Sequence, residues 1–537
     1  MRLKTFLSLS IGCIAVIFVS LVIIFLAGCG KEEPMARVEV DKLRKDAERF
    51  LIKRSEMGWK NWAFGEDLDE ASLYRKYDHM FTRENIAAVE QEMKVEQDQN
   101  RKRALDFFRS YLMFEYIGKQ LAELSDEVTN YESSAVVSID GKEVPFRQAS
   151  VLIANEDSHE KRKRIYAACD PVLEKVNPIE QKMEEITLDE AKALGFPSYI
   201  EMCSALKKCD YYDLERTCRK FLEDTDQLYT ELLAEALAEI GVVPEQFLRS
   251  DSWRMNRDTA FDQYFTEEKM LETLRSSLLS MGIDLDGQKN ILIDSEKRDK
   301  KYPRAVCFNV VVPSDIRVSI KPMGGAEDYR SLYHEMGHAQ HFANTKQDIW
   351  EFQQLGDYTF TENFAFLFEY LLAEKGWLAK YAGIPGKEIQ KFLRTQALKR
   401  LWYVRRYSAK LIYELQLHAG AGDPGKIYSE TLSTALKYRP VPSDEKRYLD
   451  DVDGAFYVAD YLRAWFLEEM LKEKLREKYG EGWYDVKEAG DHIRQFMAYG
   501  QKMESDEYAR VLGYEKIVSD PLVREIQRMA GIIAEKK

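Results

Sequence analysis

Histidine is scarce in this sequence: 7 residues in 537. Scarcity makes a cluster of histidines informative, because composition alone does not produce one. Cysteine is equally rare, also 7. Cys13 and Cys29 lie near the N-terminus. Cys169, Cys203, Cys209, Cys218 and Cys307 are an odd five in a large chain, with no CxxC spacing, which excludes a disulfide-built scaffold. Buried thiols are expected, with a pair among Cys203, Cys209 and Cys218 left open. Positive charge is in deficit too: 78 Lys and Arg face 92 Asp and Glu, for a net charge of −14. That balance, with no nucleic-acid recognition motif, argues against nucleic acid as a partner. The basic run Lys161–Arg164 reads as a solvated helix face. There is no internal repeat and no low-complexity linker, and 45% hydrophobic residues suffice for a large core.

Helical periodicity dominates. Val40, Leu43, Ala47, Phe50 and Leu51 recur at helical spacing among charges, and similar patterns fill 101–124, 211–240, 387–418 and 461–477. Strands are few. Val136–Ile139 and Lys142–Val144 flank Asp140-Gly141, which predicts a hairpin. Residues 305–320 are largely β-branched and apolar, interrupted by Pro313-Ser314-Asp315, and predict a strand pair. An extended peptide could join such an edge through main-chain hydrogen bonds.

The most informative residues are His334-Glu335-Met336-Gly337-His338, an HExxH. On a helix, positions i and i+4 share a face, so His334 and His338 can present two imidazole nitrogens to one zinc ion. Glu335 then stands beside the metal, where a general base for a metal-bound water belongs. The local sequence supports a helix. No proline falls between Tyr329 and Ala343, Leu332, Met336 and Ala339 form an apolar stripe, and Glu327-Asp328 after Gly324-Gly325 suits a helix start.

A catalytic zinc needs a third protein ligand and an open position. No histidine occurs between His341 and His418, so a nearby third ligand is expected to be a carboxylate. Glu362 and Glu369 stand out in the apolar-rich run Asp357–Leu372, and at seven residues apart they share one helical face. Glu362, 24 residues after His338, is assigned as the ligand. Glu369 is placed behind it, orienting an imidazole. The competing reading puts both on the surface of an amphipathic helix.

These residues resemble a family. HExxH followed by a helical Glu at this distance is similar to the gluzincin peptidases, and within them to the M3 group of thimet oligopeptidase and oligoendopeptidase F. Val306-Cys307-Phe308 and the run Arg317–Gly325 resemble the strand-rich approach to the M3 metal helix. Phe456–Tyr461 is similar to the tyrosine segment of oligoendopeptidase F. The resemblance covers roughly 300–537. It implies a mostly α fold, with two helical lobes around a deep substrate channel and a small β-sheet near the metal helix. It implies a catalytic region over 206–537 after an N-terminal helical region over 29–205, one Zn2+ per chain, and short peptides as substrates. The motif and spacing also look like the M2 dipeptidyl carboxypeptidases related to angiotensin-converting enzyme. One departure stands out. Both families carry a histidine shortly before the tyrosines, where this chain reads Tyr448-Leu449-Asp450-Asp451-Val452-Asp453, and the family's last tyrosine falls near Ala464. Oxyanion stabilisation then rests on fewer groups.

Tyr457 and Tyr461 are the candidate oxyanion donors. A phenol is neutral at pH 7 and donates a strong hydrogen bond. The two are one helical turn apart and can face one site. In a chain with 30 tyrosines the plain alternative is that they are core residues. Tyr407 is a lesser candidate.

The N-terminus carries an address. Arg2 and Lys4 precede a long apolar stretch that ends in Leu26-Ala27-Gly28-Cys29, which looks like a bacterial lipobox. In that reading residues 1–28 are a signal peptide and Cys29 carries the lipid. The stretch is also long enough to remain as an uncleaved anchor. Either way the body is expected outside the cytoplasm, at the bacterial cell envelope.

The sequence therefore reads as a lipid-anchored, zinc-dependent oligopeptidase with His334, His338 and Glu362 on the metal, Glu335 as base, and Tyr457 and Tyr461 at the oxyanion. The alternatives are an M2-like dipeptidyl carboxypeptidase and a peptide-binding lipoprotein without turnover. Cys29→Ala is expected to abolish lipid attachment and processing at that position. Intact-mass analysis finding lipid at the mature N-terminus of the variant would reject the lipobox.

Overall fold

A computed structural model of the chain describes residues 33–257 and 259–532, with side chains from residue 39. The expected signal peptide and lipobox, including Cys29, lie outside the described residues. No helix among the described residues is long and apolar enough to cross a membrane.

The fold is mostly helical with two small sheets. The expected hairpin forms. β1 (Val136–Ile139) and β2 (Lys142–Pro145) pair antiparallel, Ile139 opposite Lys142. Asp140 and Gly141 turn the chain with φ of 50° and 80°, the left-handed pair that a two-residue turn of this hand requires. The strand pair over 305–320 also forms, as β4 (Val306–Val311) and β5 (Asp315–Ser319), antiparallel. A third strand, β3 (Ile291–Asp294), was not anticipated. It runs parallel to β5, so the order is β3-β5-β4 and β4 is an edge.

The long first helix, Glu33–Phe64, packs on β4, where the Trp59 and Phe308 rings meet edge to face at 5.8 Å. The pattern over 211–240 resolves into two helices, Tyr211–Asp224 and Asp226–Glu239, separated at Thr225. The helix Tyr199–Lys207 runs across the border placed after residue 205, and one continuous core extends from Val40 to Ala530. All five described cysteines are free thiols, so no pair forms among Cys203, Cys209 and Cys218.

Three helices matter for the site. The HExxH helix spans Ala326–Ala343. It starts where expected: Gly324 and Gly325 take φ of 85° and 95°, and the Asp328 carboxylate accepts the Met323 and Gly324 N–H groups at 2.6 and 2.9 Å. Leu332, Met336 and Ala339 are fully buried. The carboxylate helix spans Tyr358–Glu369, capped by Asp357 accepting the Thr359 N–H at 3.0 Å. It is buried along nearly its whole length, as its apolar composition demands. The tyrosine helix spans Tyr457–Tyr479.

The HExxH and carboxylate helices touch backbone to backbone at Gly337. A Cβ there would lie 2.5 Å from Ala365 Cα and press on the Phe364 carbonyl oxygen. Backbone cannot yield as a flexible side chain can. Overpacking of this kind costs about 1–3 kcal/mol and opposes the ~1 kcal/mol that alanine gains in a helix. Gly337→Ala is therefore expected to destabilise the protein by about 1 kcal/mol. Urea unfolding showing parental or higher stability would contradict the close contact.

Candidate metal centre

Each expected ligand reaches one point. The Nε2 atoms of His334 and His338 lie 3.4 and 3.5 Å from Glu362 Oε2. These three donor atoms are all within 4.8 Å of one another, and they form the metal-capable cluster among the described residues. A hydrogen bond at this length is poor. Two ligands at about 2.05 Å from a tetrahedral centre, by contrast, are about 3.4 Å apart. Glu362 Oε2 is buried and has no hydrogen-bond partner, which leaves it a lone pair for a cation. The donor set fits a divalent metal held by two imidazoles and one carboxylate.

The other ring nitrogens are occupied. His334 Nδ1 meets Glu369 Oε2 at 2.9 Å, so Glu369 orients that imidazole as expected and is no surface residue. His338 Nδ1 meets Thr361 Oγ1 at 2.9 Å. Thr361 was not anticipated. The signal for it was faint, a hydroxyl one position before the ligand. Arg330 was missed as well, although it stands one turn before His334 on the same face. Its guanidinium donates to Glu369 Oε1, at 3.2 Å through Nε and closer through Nη2. A carboxylate behind His334 and a hydroxyl behind His338 fix the two rings, and the carboxylate also raises the basicity of its imidazole.

The electrostatics follow from burial and these partners. Burial alone would raise the Glu362 carboxyl, but His338 and His334 hold it well below the ordinary carboxylate range. Burial likewise opposes ionisation of Glu369, and Arg330 with His334 pulls it down to about 2. Burial would lower His334, yet the Glu362 and Glu369 carboxylates beside it raise it well above the usual value. The Glu362 carboxylate is thus held ionised between the two imidazoles, where it favours positive charge.

Glu335 is outside the trio but feels His334, His338 and Glu362. Its Oε2 accepts the Cys307 backbone N–H at 2.7 Å, which ties the motif to β4. Burial raises its carboxyl above the ordinary value.

Tyr457 donates its hydroxyl to Glu362 Oε1 at 2.6 Å. Its ring meets Tyr461 edge to face at 5.0 Å, and Tyr461 meets Tyr407 at 5.3 Å. Burial raises the Tyr457 phenol, and the Glu362 charge raises that of Tyr461, so both stay protonated donors. The structure brings both tyrosines to the metal-capable trio, with Tyr407 behind them. In the segment before the tyrosines, which carries no histidine, Asp451 lies among Arg406, Lys410 and Arg249, and Asp453 pairs with Lys410 at 2.7 Å.

No protein-family model and no curated protein matches the chain.

His338→Ala is expected to abolish stoichiometric metal binding, and Glu369→Gln to weaken it by about 10–100-fold with the fold intact. Chelator-competition titration checks both. Full metal content in the alanine variant, or parental affinity in the glutamine variant, would dismantle this arrangement.

Proposed function

We propose that the protein is a zinc-dependent oligopeptidase of the M3 kind, anchored by lipid outside the cytoplasm, that hydrolyses short peptides with Glu335 as general base. One observation carries the reading: His334 Nε2, His338 Nε2 and Glu362 Oε2 converge within 4.8 Å, with Glu335 beside them and free of the trio. The mostly helical fold, with a small sheet against the HExxH helix, supports the same kinship.

Zinc suits two imidazoles and a carboxylate, and it would supply a Lewis acid there and a water acidified towards pKa ~7. The chain's own residues divide the rest. Glu335 accepts a proton from the attacking water on the carboxylate oxygen that Cys307 leaves free, then returns it to the nitrogen of the leaving amine. Glu369 and Thr361 keep the imidazoles turned inward. Tyr457 and Tyr461 donate to the oxyanion that forms on the scissile carbonyl. One such donor is worth about 3–4 kcal/mol. β4 is an edge strand, and the Cys307 N–H points from it to Glu335, so a peptide added to that edge arrives next to the base.

Digestion of a peptide library by the soluble body separates the readings. Internal cuts that a chelator stops support this one, dipeptides released from C-termini point to the M2-like role, and binding without cuts points to a non-catalytic lipoprotein. Glu335→Gln is expected to keep its metal and bind peptide, but to lose about 10²–10⁴-fold in turnover, because an amide cannot take the proton. Tyr457→Phe is expected to lose about 10²–10³-fold with little change in affinity. Near-parental single-turnover rates in the glutamine variant would rule out the mechanism.

A further inference from the structure

Tyr457 also lines a cavity of about 200 Å³. That is several times the ~30 Å³ share of one water molecule, and it is room for a side chain. Its walls come from distant parts of the chain. Phe107, Tyr111 and Phe114 come from the helix Gln99–Ser134, Leu206 from the helix Tyr199–Lys207, and Tyr358 and Tyr457 from the two catalytic-site helices. Tyr358 and Tyr457 meet edge to face at 5.7 Å, and Tyr457, whose hydroxyl reaches Glu362, is common to the cavity and the metal-capable site. Successive residues of an extended peptide are about 3.3–3.6 Å apart, and a subsite at this remove serves a residue close to the bond being cut.

The charged groups around the cavity decide what it takes. Each has a partner in the protein. Glu115 accepts from Arg54 at 3.1 Å and also from the Tyr74 hydroxyl. Lys207 donates to the Ala455 carbonyl at 2.8 Å and pairs with Asp460. Lys208 pairs with Asp106 at 2.7 Å and with Glu504 at 3.0 Å. Asp357 pairs with Arg463 at 3.2 Å and accepts the Ser505 N–H at 3.0 Å. A charged side chain entering here would shed its water and find no counter-charge left over. An apolar ring would meet aromatic edges and faces.

We propose that this cavity is the specificity pocket for an apolar, preferentially aromatic, side chain of the peptide, next to the scissile bond. The assignment rests on the peptidase reading, and its test separates the two. Ser110 lines the cavity on a half-buried helical turn, its hydroxyl bonded only to the Asp106 carbonyl at 3.0 Å. Ser110→Phe fills the space with little disturbance of the core. Leu206→Trp fills it from the opposite wall.

The first measurement is binding of N-acetyl-phenylalanine amide by saturation-transfer NMR, in chelator-treated protein, so that turnover plays no part. The parent is expected to bind it, and both variants to bind about tenfold more weakly or worse, with unchanged thermal melts. The second is the cleavage profile of a peptide library. One position flanking the cut is expected to favour Phe, Tyr and Leu over Ala and Lys by about tenfold or more in the parent, and to lose that preference in Ser110→Phe. Parental amide binding in Ser110→Phe, or an unchanged cleavage preference, would overturn the pocket while leaving hydrolysis in place. Loss of amide binding in variants of a parent that cuts nothing would uphold the pocket and discard the peptidase reading.

Discussion

The Glu362 carboxylate is the constraint on which the rest is arranged. One oxygen faces two imidazole nitrogens from the HExxH helix, and the other accepts the hydroxyl of Tyr457 from the tyrosine helix. Burying a carboxylate costs several kcal/mol unless its oxygens are matched. Here the matching groups belong to two other helices, so all three must meet at one point. That requirement explains Gly337. The HExxH helix reaches Glu362 only by lying against the backbone of Phe364 and Ala365, and a side chain at 337 would hold the helices apart.

Behind the site is a second layer of buried charge. Glu369 joins Arg330 to His334, and Tyr370, the next residue, lies under the Arg400 guanidinium at 3.7 Å. Arg400 pairs with Glu468 at 2.6 Å and also with Glu469, and Lys472 pairs with Glu469 at 2.6 Å. Arg476 reaches Glu374 at 2.6 Å and Glu525 at 2.8 Å. Such networks add little net stability over a well-packed apolar core. Removing one member, however, leaves an unpaired buried charge at about 3–5 kcal/mol. The network's effect is on register. It admits one seating of the tyrosine helix against the carboxylate helix, and that seating delivers Tyr457 to Glu362.

Much of this was legible in the sequence, because it depends on spacing. The i, i+4 histidines, the seven-residue interval between Glu362 and Glu369, and the Asp140-Gly141 turn are all local periodicities. Glu369 was expected to orient an imidazole for the same reason, a buried acid on the ligand's face needing a partner; that the imidazole is that of His334 is seen only in the fold. What was not legible was tertiary. β3 is four residues long, too short for alternation to mark it, and only pairing with β5 makes it a strand. The tie from the Cys307 N–H to Glu335 is a backbone bond between distant segments, invisible in side-chain identities. The cavity beside Tyr457 gathers residues from 107 to 504, and no local pattern announces it.

The corner before Tyr457 shows how its placement is secured. Ala455 and Phe456 both sit in the left-handed region, φ 53° and 51°, at a cost of roughly 1–2 kcal/mol each for residues with a Cβ. The neighbours hold them there. Tyr199 Oη accepts the Ala455 N–H at 2.9 Å, Lys207 takes the Ala455 carbonyl, and Tyr211 stacks on Phe456 at 4.6 Å. With the backbone fixed in this way, the Tyr457 hydroxyl has one partner in the resting site, Glu362 Oε1. Under the proposed mechanism it would exchange that partner for the oxyanion as negative charge develops. A bond made only at that stage lowers the barrier without tightening substrate binding. With no histidine in the segment Tyr448–Asp453, that exchange would carry more of the oxyanion's stabilisation under the proposed mechanism. On that proposal the strained corner would let the phenol exchange partners without leaving the site.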